Sequence, residues 1–202
     1  MIVWGLTGGI ATGKSTVSKM LEDEGIPVFD ADKIAREIVE PDQAGWKQIV
    51  AAFGEGILAP DRTLDRAKLA QKVFSDPAAR RTLETITHPR IRETIGERVM
   101  NAAASGKELA FVDAALMIET GWSNDFAGVV VVDCPPEMQL ERLTKRDRLT
   151  EEAAKRRIAA QMPLDEKRKA ATFVVTNDGS MVKTRRQVSE LLAKIKEDAK
   201  NR

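Results

Sequence analysis

Short apolar runs alternate along this chain with longer segments whose apolar residues recur at helical spacing. Four β-branched runs, "IVWGLT", "IPVFD", "LAFVD" and "GVVVVD", and a fifth, "FVVT", have the length and composition of buried strands. Helical patterns separate them, and such alternation predicts a parallel sheet covered on both faces. Between Asp30 and Leu109 the pattern is helical only, as in Arg66 to Phe74 and Arg90 to Ala104. That stretch is too long for a simple crossover and predicts an inserted helical subdomain. A second insertion is expected between Asp133 and Phe173, where "PPEMQLERLTKRDRLTEEAAKRRIAAQ" is strongly charged and short of large apolar residues. It reads as a mobile, solvated helical lid, with Pro135 and Pro136 suited to the first turn of its helix. A final helix, about Met181 to Ala199, closes the core.

Composition narrows this picture. With 202 residues, 43% hydrophobic and 31% charged, the chain predicts one soluble domain with insertions rather than two independent domains. Lys and Arg number 32 against 31 Asp and Glu, a formal charge of +1, so no global field points to nucleic acid or a membrane surface. The start "MIVWGLTGG" lacks the charged and long apolar regions of a secretory signal, so a cytoplasmic location is expected. The single cysteine, Cys134, has no internal disulfide partner and reads as a plain core or strand-end thiol.

The candidate chemistry starts at the end of the first run. Gly8 to Ser15 matches G-x-x-x-x-G-K-[S/T] between an expected strand and a helix that opens near Lys14. Main-chain amides from about Gly9 to Thr16, including Ala11, Thr12 and Gly13, are expected to converge on the β-phosphate of a nucleoside triphosphate at the positive end of that helix. Lys14 would bridge the β- and γ-phosphates, and the Ser15 hydroxyl would ligate Mg²⁺.

Several further residues could act on the γ-phosphate. The second run ends in "FDAD", and strand alternation would turn Asp30 and Asp32 to the same side at the carboxyl end of the sheet. One carboxylate could accept the acceptor's hydroxyl proton; equally, Asp32 could simply cap the helix "KIAREIVE". Asp113, after the third run, either holds Mg²⁺ through water or makes local hydrogen bonds. Gln139, Arg142 and Arg146, spaced by three and four, share a helix face, which suits either a closing arginine lid or an ordinary solvated helix. In "TITHPR", Thr87 or His88 would cap a helix with Pro89 at its first position, and His88 and Arg90 could also line an acceptor site.

The ordered series "GLTGGIATGKSTV", "FDADKIAR", "FGEGIL" with "LDR", "ITHPRIR", "DAALMIETGW", "QLERLTKRD" and "RIAAQ" with "TNDG" closely resembles the dephospho-coenzyme A kinase family, from Thr7 to about Gly179. The resemblance implies a P-loop NTPase fold of the nucleoside-monophosphate-kinase type, three layers around a five-stranded parallel sheet. It implies one P-loop kinase domain over 1–202: a core of about 1–31, 107–134 and 172–202, a helical acceptor-binding insertion of about 32–106, and a lid of about 135–171. The implied reaction is transfer of the ATP γ-phosphoryl group to the ribose 3′-hydroxyl of dephospho-CoA, the last step of CoA biosynthesis, with Mg²⁺ accompanying ATP.

By the same resemblance Asp32 is the catalytic base, working with Lys14, Arg142 and Arg146. ATP binding falls to Gly9, Ala11, Thr12, Gly13, Lys14, Ser15, Thr16 and Asn177, and acceptor binding to Thr7, Asp32, His88, Arg90 and Asp113. Ser15, with Asp113 through water, would hold the metal. The expected partners are ATP and dephospho-CoA, with no nucleic acid or membrane, in a monomer or weak homo-oligomer. Another small-molecule P-loop kinase, for a nucleoside or nucleotide, is the alternative; a regulatory NTPase switch is disfavoured because no N-K-x-D motif occurs. Three departures from the family pattern bear on acceptor binding and turn geometry rather than on reaction class. "DAALMIE" stands for the usual "DVPLLFE", Arg62 for a turn glycine, and Ala171-Thr172 for "AD".

Overall fold

The computed structural model describes residues 1–200, with the Lys200 side chain outside the description. The five apolar runs form β1 (Ile2–Gly8), β2 (Val28–Asp30), β3 (Leu109–Asp113), β4 (Val129–Asp133) and β5 (Phe173–Thr176). They assemble in one sheet in the order β2-β3-β1-β4-β5, and β1 pairs parallel with both β3 and β4. The first strand is therefore central, and the loop that follows it opens between two neighbouring strand ends.

Two compact units divide the chain: 1–29 with 105–202, and 30–104. In the first, helix α1 (Lys14–Asp23) and the terminal helix, named α9 below, cover one face of the sheet. Trp4, Leu6, Phe111, Val130 and Val132 meet Val17, Met20, Leu21, Val188, Leu191 and Ile195 there in one buried cluster. Strand alternation sends Gly5, Val112, Val129 and Val131 to the opposite face, where the Met117 side chain fills the space above Gly5.

The second unit holds α2 (Ala31–Glu37), α3 (Ala44–Phe53), α4 (Arg66–Ser75) and α5 (Pro77–Ala104) around its own core of Val39, Trp46, Ile49, Ile57, Leu64 and Leu69. Arg62, the departure noted in the turn, takes the left-handed conformation at φ 67° that glycine would adopt without strain. Its carbonyl accepts a 2.9 Å hydrogen bond from Trp46 Nε1, and its guanidinium lies 5.4 Å from that ring's centroid. The stacking offsets part of the backbone cost.

The expected helix start at Pro89 is not found. α5 runs unbroken from Pro77 to Ala104 with Pro89 in its interior, and Thr87 Oγ1 donates back to Leu83 O at 2.9 Å instead of capping. Packing of α5 against α2, α3 and α4 overrides the local signal.

The expected lid consists of α6 (Pro136–Asp147), α7 (Glu151–Ala159) and α8 (Leu164–Lys169), followed after β5 by α9 (Met181–Lys200). Pro136 occupies the first turn of α6, as expected. The lid is less solvated than its composition suggested, because Gln139, Leu143, Ala154 and Lys167 are all buried. Among the described residues, no helix is long and apolar enough to cross a membrane.

An interior proline removes one helical hydrogen bond and costs about 3 kcal/mol. Pro89→Ala is therefore expected to raise the melting temperature by several degrees in a calorimetric scan. An unchanged or lower value would mean that the packing of α5 needs the distortion at 89.

Candidate active site

The phosphate loop is shaped by what its glycines permit. A Cβ on Gly8 would lie 2.7 Å from Val132 O, and Gly13, the residue before α1, adopts φ 91° with Asn177 pressed against its α-carbon. Ala11 is also left-handed, at φ 60°. Thr12 is buried; its hydroxyl and its N–H both donate to Gly9 O, at 2.9 and 3.3 Å.

Side chains from later in the chain fasten the loop's outer main-chain groups. Ile10 N–H donates to Gln161 Oε1 at 2.7 Å, and Ile10 O accepts from Gln139 Nε2 at 2.8 Å. Thr12 O accepts from Asn177 Nδ2 at 2.9 Å and from Arg142 at 3.4 Å; Arg142 also donates to Asn177 O at 3.1 Å. The N–H groups of Ile10, Thr12 and Thr16 are thus engaged within the protein, the last by Gly13 O. The set expected to converge on an anion narrows to those of Gly9, Ala11, Gly13, Lys14 and Ser15, the last three at the α1 N-terminus.

Charge at the mouth of the loop is balanced. Lys14 Nζ pairs with the buried Asp113 carboxylate at the end of β3, and Ser18 Oγ donates to the same carboxylate at 2.7 Å. Ser15 is exposed in the first turn of α1. Strand order therefore brings the start of α1 beside the end of β3, so that Lys14 and Ser18 both reach Asp113.

The family profile described as dephospho-CoA kinase matches residues 1–183. The chain belongs to that family. A dephospho-CoA kinase of Listeria monocytogenes is 47% identical over 184 residues, covering 91% of this chain and 92% of its own. Among solved structures, one from Thermus thermophilus superposes with a TM-score of 0.81 at 36% identity, covering 96% of this chain and 97% of that one. The dephospho-CoA kinase of Campylobacter jejuni gives a TM-score of 0.70 at 32% identity, with 98% of each chain covered. The protein is accordingly a P-loop kinase with the fold that its motifs implied.

Within this kinase, the remaining predicted residues separate into distinct environments. In the acidic turn "FDAD" the capping residue is Asp30, not Asp32. Asp30 ends β2 and caps α2, its carboxylate accepting from Lys33 N–H at 2.9 Å. Asp32 lies in the first turn of α2 and is exposed, so the expectation that strand alternation orients both carboxylates fails, and the cap is Asp30.

His88 is exposed and Arg90 half-buried on one helix. Residues two apart do not share a helix face, so the two point different ways. Arg90 Nε is buried without a hydrogen-bond partner among the described residues. Thr7 is fully buried, its hydroxyl donating to Ala115 O at 3.2 Å. Arg146 is exposed and donates to Asp147 at 2.7 Å, which is the main reason that carboxyl sits below the usual carboxylate range. Burial pushes the Cys134 thiol up, in keeping with a plain strand-end thiol.

Sequence reasoning missed Gln161, Ser18 and Lys167 as contributors. Only Gln161 lay in a quoted motif, "RIAAQ", and none showed a spacing that tied it to the loop. Asn177, expected at the nucleotide, braces Thr12 and Gly13 with its amide.

Asn177→Ala should loosen the loop and leave Thr12 O short of a donor, at a cost of about 1–3 kcal/mol. ATP affinity, followed by fluorescence titration, is expected to fall about tenfold with the melting temperature lowered. Unchanged affinity would show that Gly13 and Gln139 suffice to keep the loop's shape.

Proposed function

We propose that this chain transfers the γ-phosphoryl group of ATP to the ribose 3′-hydroxyl of dephospho-CoA, yielding CoA and ADP, in the cytoplasm. The observation that carries the reading is the family match across 1–183, which takes in both the phosphate loop and the acidic turn. In this reading the helical insertion of about 32–106 binds the acceptor, supported by its separate core, and about 135–171 forms the lid.

The donor set at the loop suits Mg²⁺ carried in with the nucleotide. It offers one hydroxyl, Ser15, and one carboxylate, Asp113, and among the described residues no cluster of three or more His, Cys, Asp or Glu forms an all-protein cage. Mg²⁺ commonly keeps waters and phosphate oxygens around one or two protein ligands. When bound it neutralises charge on the β- and γ-phosphates.

The chain's own residues do the rest. Gly9, Ala11, Gly13, Lys14 and Ser15 amides cradle the β-phosphate, and Lys14 exchanges the Asp113 carboxylate for phosphate oxygens. Ser15, with Asp113 through water, would hold the metal. Phosphoryl transfer runs through a loose transition state, so positioning and charge stabilisation dominate. Asp32, relieved of capping by Asp30, accepts the proton of the attacking hydroxyl. Arg142 and Arg146 meet the charge that spreads over the γ-phosphoryl oxygens.

Lys14→Ala is expected to lower kcat for dephospho-CoA phosphorylation by about two to three orders of magnitude, and to lower the melting temperature as well, because it leaves the buried Asp113 carboxylate without its ionic partner. Near-normal turnover at saturating ATP would remove the proposed role of the loop.

Asp32→Asn is expected to cost about 10²- to 10⁴-fold in a single-turnover measurement while both substrates still bind. Asp30→Asn should leave both rate and stability nearly unchanged, because the two residues cap about equally well. A wild-type rate in Asp32→Asn would end its assignment as the base.

A further inference from the structure

Lys167 is fully buried, although it lies in a charged run of the lid. An ammonium taken wholly out of water must be compensated by hydrogen bonds or an opposite charge. Its Nζ donates to Ala115 O at 2.9 Å and lies 2.7 Å from Glu119 Oε1, both in the segment that follows Asp113. Neither Glu119 carboxylate oxygen has a hydrogen-bond partner among the described residues, so this contact is ionic rather than a directed hydrogen bond. The next residue, Arg168, donates to Asp133 at the end of β4 at 2.7 Å.

These contacts straddle the phosphate loop, because β1 lies between β3 and β4 in the sheet. Leu164 Cδ2 lies 3.2 Å from where a Cβ on Gly9 would stand, and Gln161 holds Ile10 N–H. Residues 161–168 therefore run as a strap across the end of β1, fastened to the segment after β3 on one side and to β4 on the other. Ala115 O also accepts the Thr7 hydroxyl, so one carbonyl joins the strap, the strand that feeds the loop, and the segment that starts at Asp113. A buried apolar pair commonly holds a fold as well as a buried ion pair. What an apolar side chain lacks is a donor that fixes the plane of the Ala115 peptide.

We propose that Lys167 is a positioning residue for phosphoryl transfer, acting through Ala115 and Glu119 to hold the Asp113 segment in register with the phosphate loop. The inference rests on the kinase reading above. It makes 161–168 an anchor that ties the segment after β3 to the end of β4.

The test uses the full chain. Lys167→Met removes the ammonium and keeps the stem; Lys167→Met/Glu119→Met removes both charges, so that neither is left buried alone. Steady-state kinetics with ATP and dephospho-CoA would be run below the melting temperature of each variant, beside hydrogen exchange over 113–121. The double variant is expected to melt near the wild type, to lose about 10- to 100-fold in kcat, to keep its KM for ATP within about threefold, and to exchange faster over 113–121. Gln161→Met, which frees Ile10 N–H at the other end of the strap, should instead weaken ATP binding as Asn177→Ala does, without faster exchange over 113–121.

A stable double variant with wild-type kcat, or an effect on KM alone, overturns the proposal. If Lys167→Met does not fold, the double variant decides. If the wild-type chain does not phosphorylate dephospho-CoA, the kinase reading fails, and unchanged exchange over 113–121 would separately overturn the strap.

Discussion

The carboxyl end of this sheet depends on how the main chain of 8–13 is held. A phosphate loop needs left-handed turns and closely spaced amides, a conformation with few internal hydrogen bonds of its own. The stability of that shape has to come from outside the loop. Here it comes from four polar side chains, Gln139, Arg142, Gln161 and Asn177, that bond the outward main-chain groups of Ile10 and Thr12. The amides that lead into α1 take no part in these contacts.

The same arrangement handles charge. Lys14 and Asp113 are both largely sheltered, where an unpaired ion is costly. Their mutual contact keeps both compensated, with Ser18 as a further donor to the carboxylate.

Asp30 and Asp32 show how a local detail gives two similar residues different surroundings. Two carboxylates two residues apart look interchangeable in sequence. A strand that ends one residue before the helix commits the first to capping and leaves the second exposed in the first turn. A comparable division runs through the lid, where Arg142 reaches the loop while Arg146, one turn on, pairs with Asp147.

The sequence determined by itself those features that rest on local periodicity and short-range geometry. Five apolar β-branched runs became the five strands, the glycine spacing of 8–15 became the loop, and Lys14 opened α1, because each depends on residues within one turn or one strand of each other. Ordered motifs were enough to reach the family. The tertiary structure alone decided what long-range packing controls. Pro89 reads locally as a helix start, yet α5 passes through it because three other helices pack along its length. Lys167 reads as one more solvated charge, and its burial follows only from the strap's crossing between the ends of β3 and β4, partners 52 and 35 residues away along the chain for Lys167 and Arg168. No periodicity within α8 encodes those partners, since hydrogen bonds from a buried ammonium are set by which strands the sheet makes neighbours.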